Sequence, residues 1–214
     1  MNLDSLTPEK LIVALTGYVI VIVSLSFHEW GHAFAADKLG DDTPRRMGRV
    51  TINPLAHIDL VGTVIIPLFA LLSGWMVVGW AKPVMINPDN LPKKSQRAWV
   101  TIAGPAMNLA LAIAAAVAIR LMDIPLTDDP HFIARILIIN ISLMMFNLLP
   151  VPPLDGSKFL MYWFGMSERT YVSFARFGWV ALMAMFYIPF TRDLIWGIIS
   201  YSAVPFFWLA GWFQ

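Results

Sequence analysis

Residues 11–36 read LIVALTGYVIVIVSLSFHEWGHAFAA, in which a charge-free apolar run, 11–27, leads straight into His28-Glu29-Trp30-Gly31-His32. An uninterrupted run of this kind reaches the roughly 17–25 residues a bilayer-spanning helix needs. Thr7-Pro8-Glu9 ahead of it reads as a helix start: a capping residue, a proline in the first turn, and an acid suited to the positive helix end. The helix is predicted to run to about Ala36, with Gly40 ending it. At 1.5 Å rise per residue His28 lies about 25 Å beyond Leu11, deep in the bilayer or near one face of it.

Further charge-free runs cover 60–81, 98–119, 136–154, 177–191 and 194–214. Hydrophobic residues make up 58% of the 214 and charged residues 14%, against roughly 45–50% and about 25% in an average soluble domain. The expectation is an all-α polytopic membrane protein with about five full transmembrane helices plus a re-entrant segment and short β elements. A single integral-membrane domain, 1–214, is expected, with a core over about 10–165 and a C-terminal helix pair over about 171–212. The net charge of +1 and the lack of a basic tract give no reason to invoke nucleic acid. With no cysteine, disulfides, thiolate ligands and a cysteine nucleophile are excluded. The first apolar run is too long for a cleavable signal peptide.

Charge placement suggests the path through the membrane. Lys38, Arg45, Arg46 and Arg49 fill loop 38–49, and Lys82, Lys93, Lys94 and Arg97 fill loop 82–97. Loop 121–131 carries Asp123, Asp128 and Asp129 without Lys or Arg. By the positive-inside rule the first two loops are cytoplasmic and the third external. Segment 60–81 would then begin and end on one side, so it is predicted to double back, breaking at Pro67 or Ser73-Gly74 and returning through 75–84. The alternative is an ordinary span with one basic loop outside. The remaining spans are expected at 98–120, 132–149, about 171–190 and 194–212, with Trp196, Trp208 and Trp212 as interfacial anchors. Val50-Thr51-Ile52 and Val84-Met85-Ile86 have β propensity and are predicted to form short strands able to pair with an extended peptide.

Two histidines four apart share one helix face and can reach one metal ion, as in the HExxH pattern. Glu29 sits about 100° round the helix, placed to take a proton from a metal-bound water. In a membrane helix His and Glu are costly and persist only with partners or function. A structural cluster bonded to a neighbouring helix is the plain alternative, and an ion pathway is another. A catalytic zinc site usually has three protein ligands and one open position. Asp155 is the natural third, because Pro150, Pro152 and Pro153 end the preceding span just before it. Asp37, Asp41, Asp42 and Asp59 stand at the same side in less constrained contexts, and a solvated loop aspartate is the alternative for Asp155. One zinc ion is the expected cofactor, although two imidazoles and a carboxylate also suit iron, cobalt or manganese.

HEWGH on an apolar helix, Gly104-Pro105-Ala106-Met107-Asn108, and Asn147 through Gly156 (NLLPVPPLDG) together resemble the site-2 protease family of intramembrane zinc metalloproteases. Three motifs in order, over roughly 20–160, carry the resemblance. It implies that His28, His32 and Asp155 hold zinc, that Glu29 is the catalytic base, and that Asn147 lies near the site and helps hold substrate. Asn108 is expected to contact substrate or, alternatively, to tie helices together. Expected partners are the lipid bilayer and a transmembrane protein or peptide substrate, with an adaptor protein or a homo-oligomer to select it. Many relatives carry a PDZ domain, and no stretch here is long enough to encode one. The expected location is the cell membrane, multi-pass, with the site towards the cytoplasm. His57 is read as ambiguous between a partner of the site and an interfacial loop residue, and His131 as a surface residue.

Overall fold

Helix α1, Pro8–Leu39, carries the HEWGH stretch in its C-terminal half, and Gly40 ends it at a φ of +115°. That conformation is open to glycine and strained for other residues. The computed structural model describes residues 7–67, 79–125, 127 and 131–212. After a short helix α2, Thr43–Arg46, come a 3₁₀ turn at Pro54–Ala56 and a π-helical turn at Leu60–Ile65. The chain returns in extended form through 79–87 to a 3₁₀ turn at Pro88–Asn90. Helix α3, Lys94–Met122, runs back along α1, and α4, Phe132–Asn147, packs on α3. Helix α5, Asp155–Phe164, lies against α3. The chain closes with α6, Glu168–Ala175, α7, Gly178–Tyr187, and α8, Pro189–Leu209, which packs on α4.

The core is built of small residues. Ala112, Ala115 and Ala116 of α3 meet Ala134, Leu137 and Ile141 of α4 and Ala203 of α8. Small side chains let helix backbones approach closely where lipid supplies no hydrophobic drive for association. The large apolar residues face outward: Ile12, Leu15 and Val19 on α1, Phe190, Tyr201 and Trp208 on α8. In water such a surface would be a liability, whereas in lipid it is the favourable one.

Two helices, Leu11–Leu39 and Lys94–Met122, are long and apolar enough to cross a membrane. The expected five full spans are not reached among the described residues. Helix α4 is apolar but, at 16 residues, about 24 Å long against a hydrocarbon core of about 30 Å. The expected separate spans at 171–190 and 194–212 are instead α7 and α8, bent by 87° at Ile188, which make at most one broken span. Ile188 precedes Pro189 and is held extended (φ −79°, ψ 118°), as a residue before proline prefers. Upstream, α6 and α7 are separated at Arg176-Phe177.

The two ends of segment 60–81 lie side by side. The Trp80 amide donates to the Gly62 carbonyl at 3.2 Å, and the Lys82 amide to the His57 carbonyl at 2.8 Å. Gly62 is needed there because a Cβ would run into the Trp80 ring. Pro67 lies on the outgoing limb, while Ser73-Gly74 and Trp75 fall outside the described residues.

The expected β elements are absent, since the described residues contain no strand. Residues 50–52 and 84–86 have the right side chains, but neither pairs with another backbone segment among the described residues. The Thr51 carbonyl accepts from the His57 ring and the Val84 amide donates to a side chain. Propensity without a pairing partner makes an extended segment and nothing more.

The buried Asp41 carboxylate ties the end of α1 to this returning chain. It accepts from the Thr43 amide and hydroxyl, the Asn87 amide at 2.7 Å and Asn90 Nδ2 at 2.8 Å. Burial alone would raise its pKa, but these hydrogen bonds outweigh burial and hold it below the usual aspartate value. A depressed folded pKa contributes stability above the unfolded value of about 3.9, which is lost as pH falls through the folded one. Asp41→Asn is therefore expected to melt below wild type at about pH 7, with the gap narrowing as the pH drops below about 4. Thermal unfolding of both proteins in detergent across that range measures it. A gap of constant size would mean that the charge is not what holds the turn.

Candidate metal centre

Helical spacing puts His28 and His32 on the face of α1 that meets α3, with their Nε2 atoms 3.1 Å apart. Asp155, the first residue of α5, brings Oδ2 to 3.1 Å from His28 Nε2 and 3.0 Å from His32 Nε2. All three side chains are buried. His28 Nδ1 faces Asn108 Oδ1 at 2.7 Å, and His32 Nδ1 faces the Val100 carbonyl at 2.8 Å. Both outer partners are acceptors, so each ring carries a proton on Nδ1, and in its neutral form turns an Nε2 lone pair inward.

Two nitrogen lone pairs and a carboxylate oxygen thus converge on one point, an arrangement that calls for a cation between them. Ligand atoms on a tetrahedral zinc with bonds of about 2.0–2.1 Å stand about 3.3 Å apart, close to the spacing seen here. Outer hydrogen bonds that fix imidazole orientation are the usual second layer of such centres. Among the described residues, His28, His32 and Asp155 are a group of ligand-type side chains whose donor atoms all lie within 4.8 Å of one another. The other acids near that end are engaged elsewhere: Asp37 with Arg45, Asp42 with Arg46, and Asp59 with the Val61 and Gly62 amides.

Three glycines make room for this convergence. A Cβ on Gly104 would collide with His32 Nε2 and lie 2.7 Å from His28 Nε2, so the α3 backbone itself closes one side of the centre. A Cβ on Gly31 would lie 2.6 Å from the Ala103 carbonyl, so α1 and α3 meet backbone to backbone beside the histidines. A Cβ on Gly156 would strike the Leu148 and Leu149 carbonyls, where the bend after α4 packs on the first turn of α5. The motif glycines are there for space.

The opposite side opens into a cavity of about 670 Å³, lined by Glu29, Asn147, Lys158 and the extended chain 79–86 besides the three ligand-type residues. Glu29 Oε2 accepts from the Val84 amide at 2.9 Å, which aims the carboxylate along the cavity wall. Asn147 reaches the cavity with its Nδ2 bonded to the Leu143 carbonyl one turn back. Asn108 is placed differently. It is fully buried behind His28, with Nδ2 donating to Asn140 Oδ1 at 3.0 Å, and it lines no part of the cavity. His57 is buried outside the cavity with Nε2 donating to the Thr51 carbonyl at 2.8 Å, and His131 caps the start of α4.

Several contributors went unseen in the sequence. Asn140 donates to Ser24 Oγ at 3.0 Å and receives from Asn108, extending the tie behind His28 across α1, α3 and α4. An asparagine inside an apolar helix was the available signal. The Val84 amide had none, because a backbone group has no sequence signature.

The chain belongs to peptidase family M50, whose profile matches residues 16–127 and 126–188. By family and by apolar helices it is an integral-membrane metallopeptidase, in line with the site-2 protease resemblance of its motifs. It is 32% identical over 200 residues to a Bacillus subtilis (strain 168) protein provisionally named as the zinc metalloprotease YwhC, covering 88% of each chain. To Rip2 of Mycobacterium tuberculosis (strain H37Rv), likewise provisionally named a zinc metalloprotease, it is 29% identical over 185 residues, 83% of this chain and 69% of Rip2. Zinc metalloprotease MJ0392 of Methanocaldococcus jannaschii is 23% identical over 143 residues, 67% of this chain and 32% of that one. No solved structure matches the chain.

Proposed function

We propose that this membrane zinc metalloprotease hydrolyses peptide bonds in or near the transmembrane segments of other membrane proteins. The observation that carries the reading is a three-ligand centre closed on one side by helix backbone and open on the other to a cavity shared with Glu29. His28, His32 and Asp155 are the ligands. Zinc held there would lower the pKa of a water towards about 7 and polarise the scissile carbonyl. Glu29, aimed by the Val84 amide, takes the water's proton and passes it to the departing nitrogen. Asn147 offers the cavity an amide whose oxygen has no partner among the described residues, and it holds the substrate backbone there.

Substrate must enter unwound, because a helical peptide bond is shielded by its own turn and already hydrogen-bonded. Both basic loops lie at one end of the bundle, where Asp41 meets Asn87 and Gln96 reaches the Leu39 carbonyl. Under the positive-inside rule that end faces the cytoplasm, and the centre lies towards it in the cell membrane. An adaptor, a second copy, or prior trimming supplies the selection of substrate.

The test is cleavage of a panel of single-span reporter proteins by the purified, zinc-loaded chain, with cut sites mapped by mass spectrometry. Cuts within or beside the spans, abolished by chelation and restored by zinc, are expected. Hydrolysis confined to soluble peptides, with the spans untouched, would overturn the reading.

A further inference from the structure

The Asp155 carboxylate has two faces. Oδ2 looks at the imidazoles, while Oδ1 lies 3.6 Å from the Lys158 ammonium, one helical turn along α5. That distance is beyond hydrogen-bond length, so the ammonium is drawn towards the carboxylate with its N–H donors uncommitted among the described residues. The Lys158 side chain is 44% exposed and lines the same cavity as Glu29. Arg97, a second cation of that wall, is held by bonds from each of its three side-chain nitrogens, to the Leu91 and Pro88 carbonyls and to Glu168. Nearer the centre the Val84 amide is taken by Glu29, and Asn147 Nδ2 commits one of its two N–H groups to the Leu143 carbonyl.

Hydrolysis creates a demand that an uncommitted cation meets more strongly than a neutral donor does. When the water oxygen bonds to the scissile carbon, the carbonyl π pair moves onto the carbonyl oxygen and the water's proton passes to Glu29. When the C–N bond breaks, its electron pair leaves with the nitrogen, which takes the proton from Glu29, and the oxygen's charge is returned to the new carboxyl group. Donors aimed at that transient oxygen are among the largest single contributions to such reactions. We propose that Lys158 is a further catalytic residue, whose ammonium donates a hydrogen bond to the scissile carbonyl oxygen as it becomes negative. The inference rests on the proteolytic reading above. Asp155 thus has two tasks, holding the metal with one oxygen and stationing the ammonium beside the reacting bond with the other.

Lys158→Met keeps the length of the side chain and removes the charge, and Lys158→Arg restores a cation. In the zinc-loaded full chain, Lys158→Met is expected to lower kcat on a cleaved reporter by about 10²-fold or more with KM nearly unchanged. Lys158→Arg is expected to recover part of the loss, and zinc stoichiometry is expected to match wild type in both. A second readout needs no turnover. Binding of a phosphinic peptide, which carries a tetrahedral anion at the scissile position, should weaken in Lys158→Met by the same factor as kcat, while the corresponding amide peptide binds unchanged. Wild-type kcat and phosphinate affinity in Lys158→Met would overturn the proposal. Loss of zinc from that variant would overturn it as well, reducing the lysine to a prop for Asp155. A wild-type protein that cuts no reporter strikes the proteolytic reading instead, and the phosphinate comparison still decides whether Lys158 serves an anion.

Discussion

Glu29→Gln is expected to keep its zinc and to lose reporter cleavage by about 10²–10⁴-fold, the span that a positioned general base contributes. Glutamine has the shape of glutamate, and its amide oxygen can still accept from the Val84 amide, so the cavity wall should stay in place. What disappears is the ability to take a proton from water and return it to nitrogen. Because Glu29 does not belong to the ligand group of His28, His32 and Asp155, the metal has no reason to leave. Metal analysis beside cleavage of the same preparation separates the two effects. Undiminished cleavage would mean that another group is the base, and zinc loss would mean that Glu29 belongs to the coordination sphere.

The second large effect is expected at Gly104. A methyl group there would lie 2.7 Å from His28 Nε2 and closer still to His32 Nε2, in the space the lone pairs need. Neither ring can turn aside, because Asn108 and the Val100 carbonyl hold their far nitrogens. Gly31 against the Ala103 carbonyl keeps the two helix backbones in contact, so relief would require parting α1 from α3. Gly104→Ala should therefore lose zinc and cleavage together, although alanine is a better helix former than glycine by about 1 kcal/mol. Gly17→Ala is the control, since nothing lies within 4 Å of a Cβ there. That variant should retain zinc and melt no lower than wild type. Full zinc content in Gly104→Ala would show that the rings have more freedom than their hydrogen bonds imply.

Local rules made much of the centre legible. Spacing of four fixes which face His28 and His32 share, Gly40 marks where α1 ends, and a run of prolines places Asp155 at the start of a new helix. The partners that orient these residues were harder to read, because they come from other helices. Asn108 reads from sequence as a group for substrate or for helix packing, and only the crossing of α1 over α3 turns it towards His28. Asn140 and Ser24 carry a polar signal that says a partner exists without saying which. Hydropathy misjudged the spans for a related reason. It sums composition along the chain and takes no account of direction, so the 87° bend at Ile188 leaves it unchanged although Pro189 marks the place. The β expectation failed because a strand is a property of two segments, and 84–86 has only itself.

The extended wall is hung from both ends. At one end Trp80 and Lys82 are bound to Gly62 and His57, and at the other Asn87 and Asn90 are bound to Asp41. Between these fixings the chain touches Glu29 through the Val84 amide, a backbone group that every residue except proline supplies. Met85 is 58% exposed beside it. A side chain exchanged at Met85 alters the surface offered to a substrate and leaves the backbone contact to Glu29 as it was. On the proposed reading, preference for a substrate and the chemistry of cleavage are thereby held by separate parts of one segment.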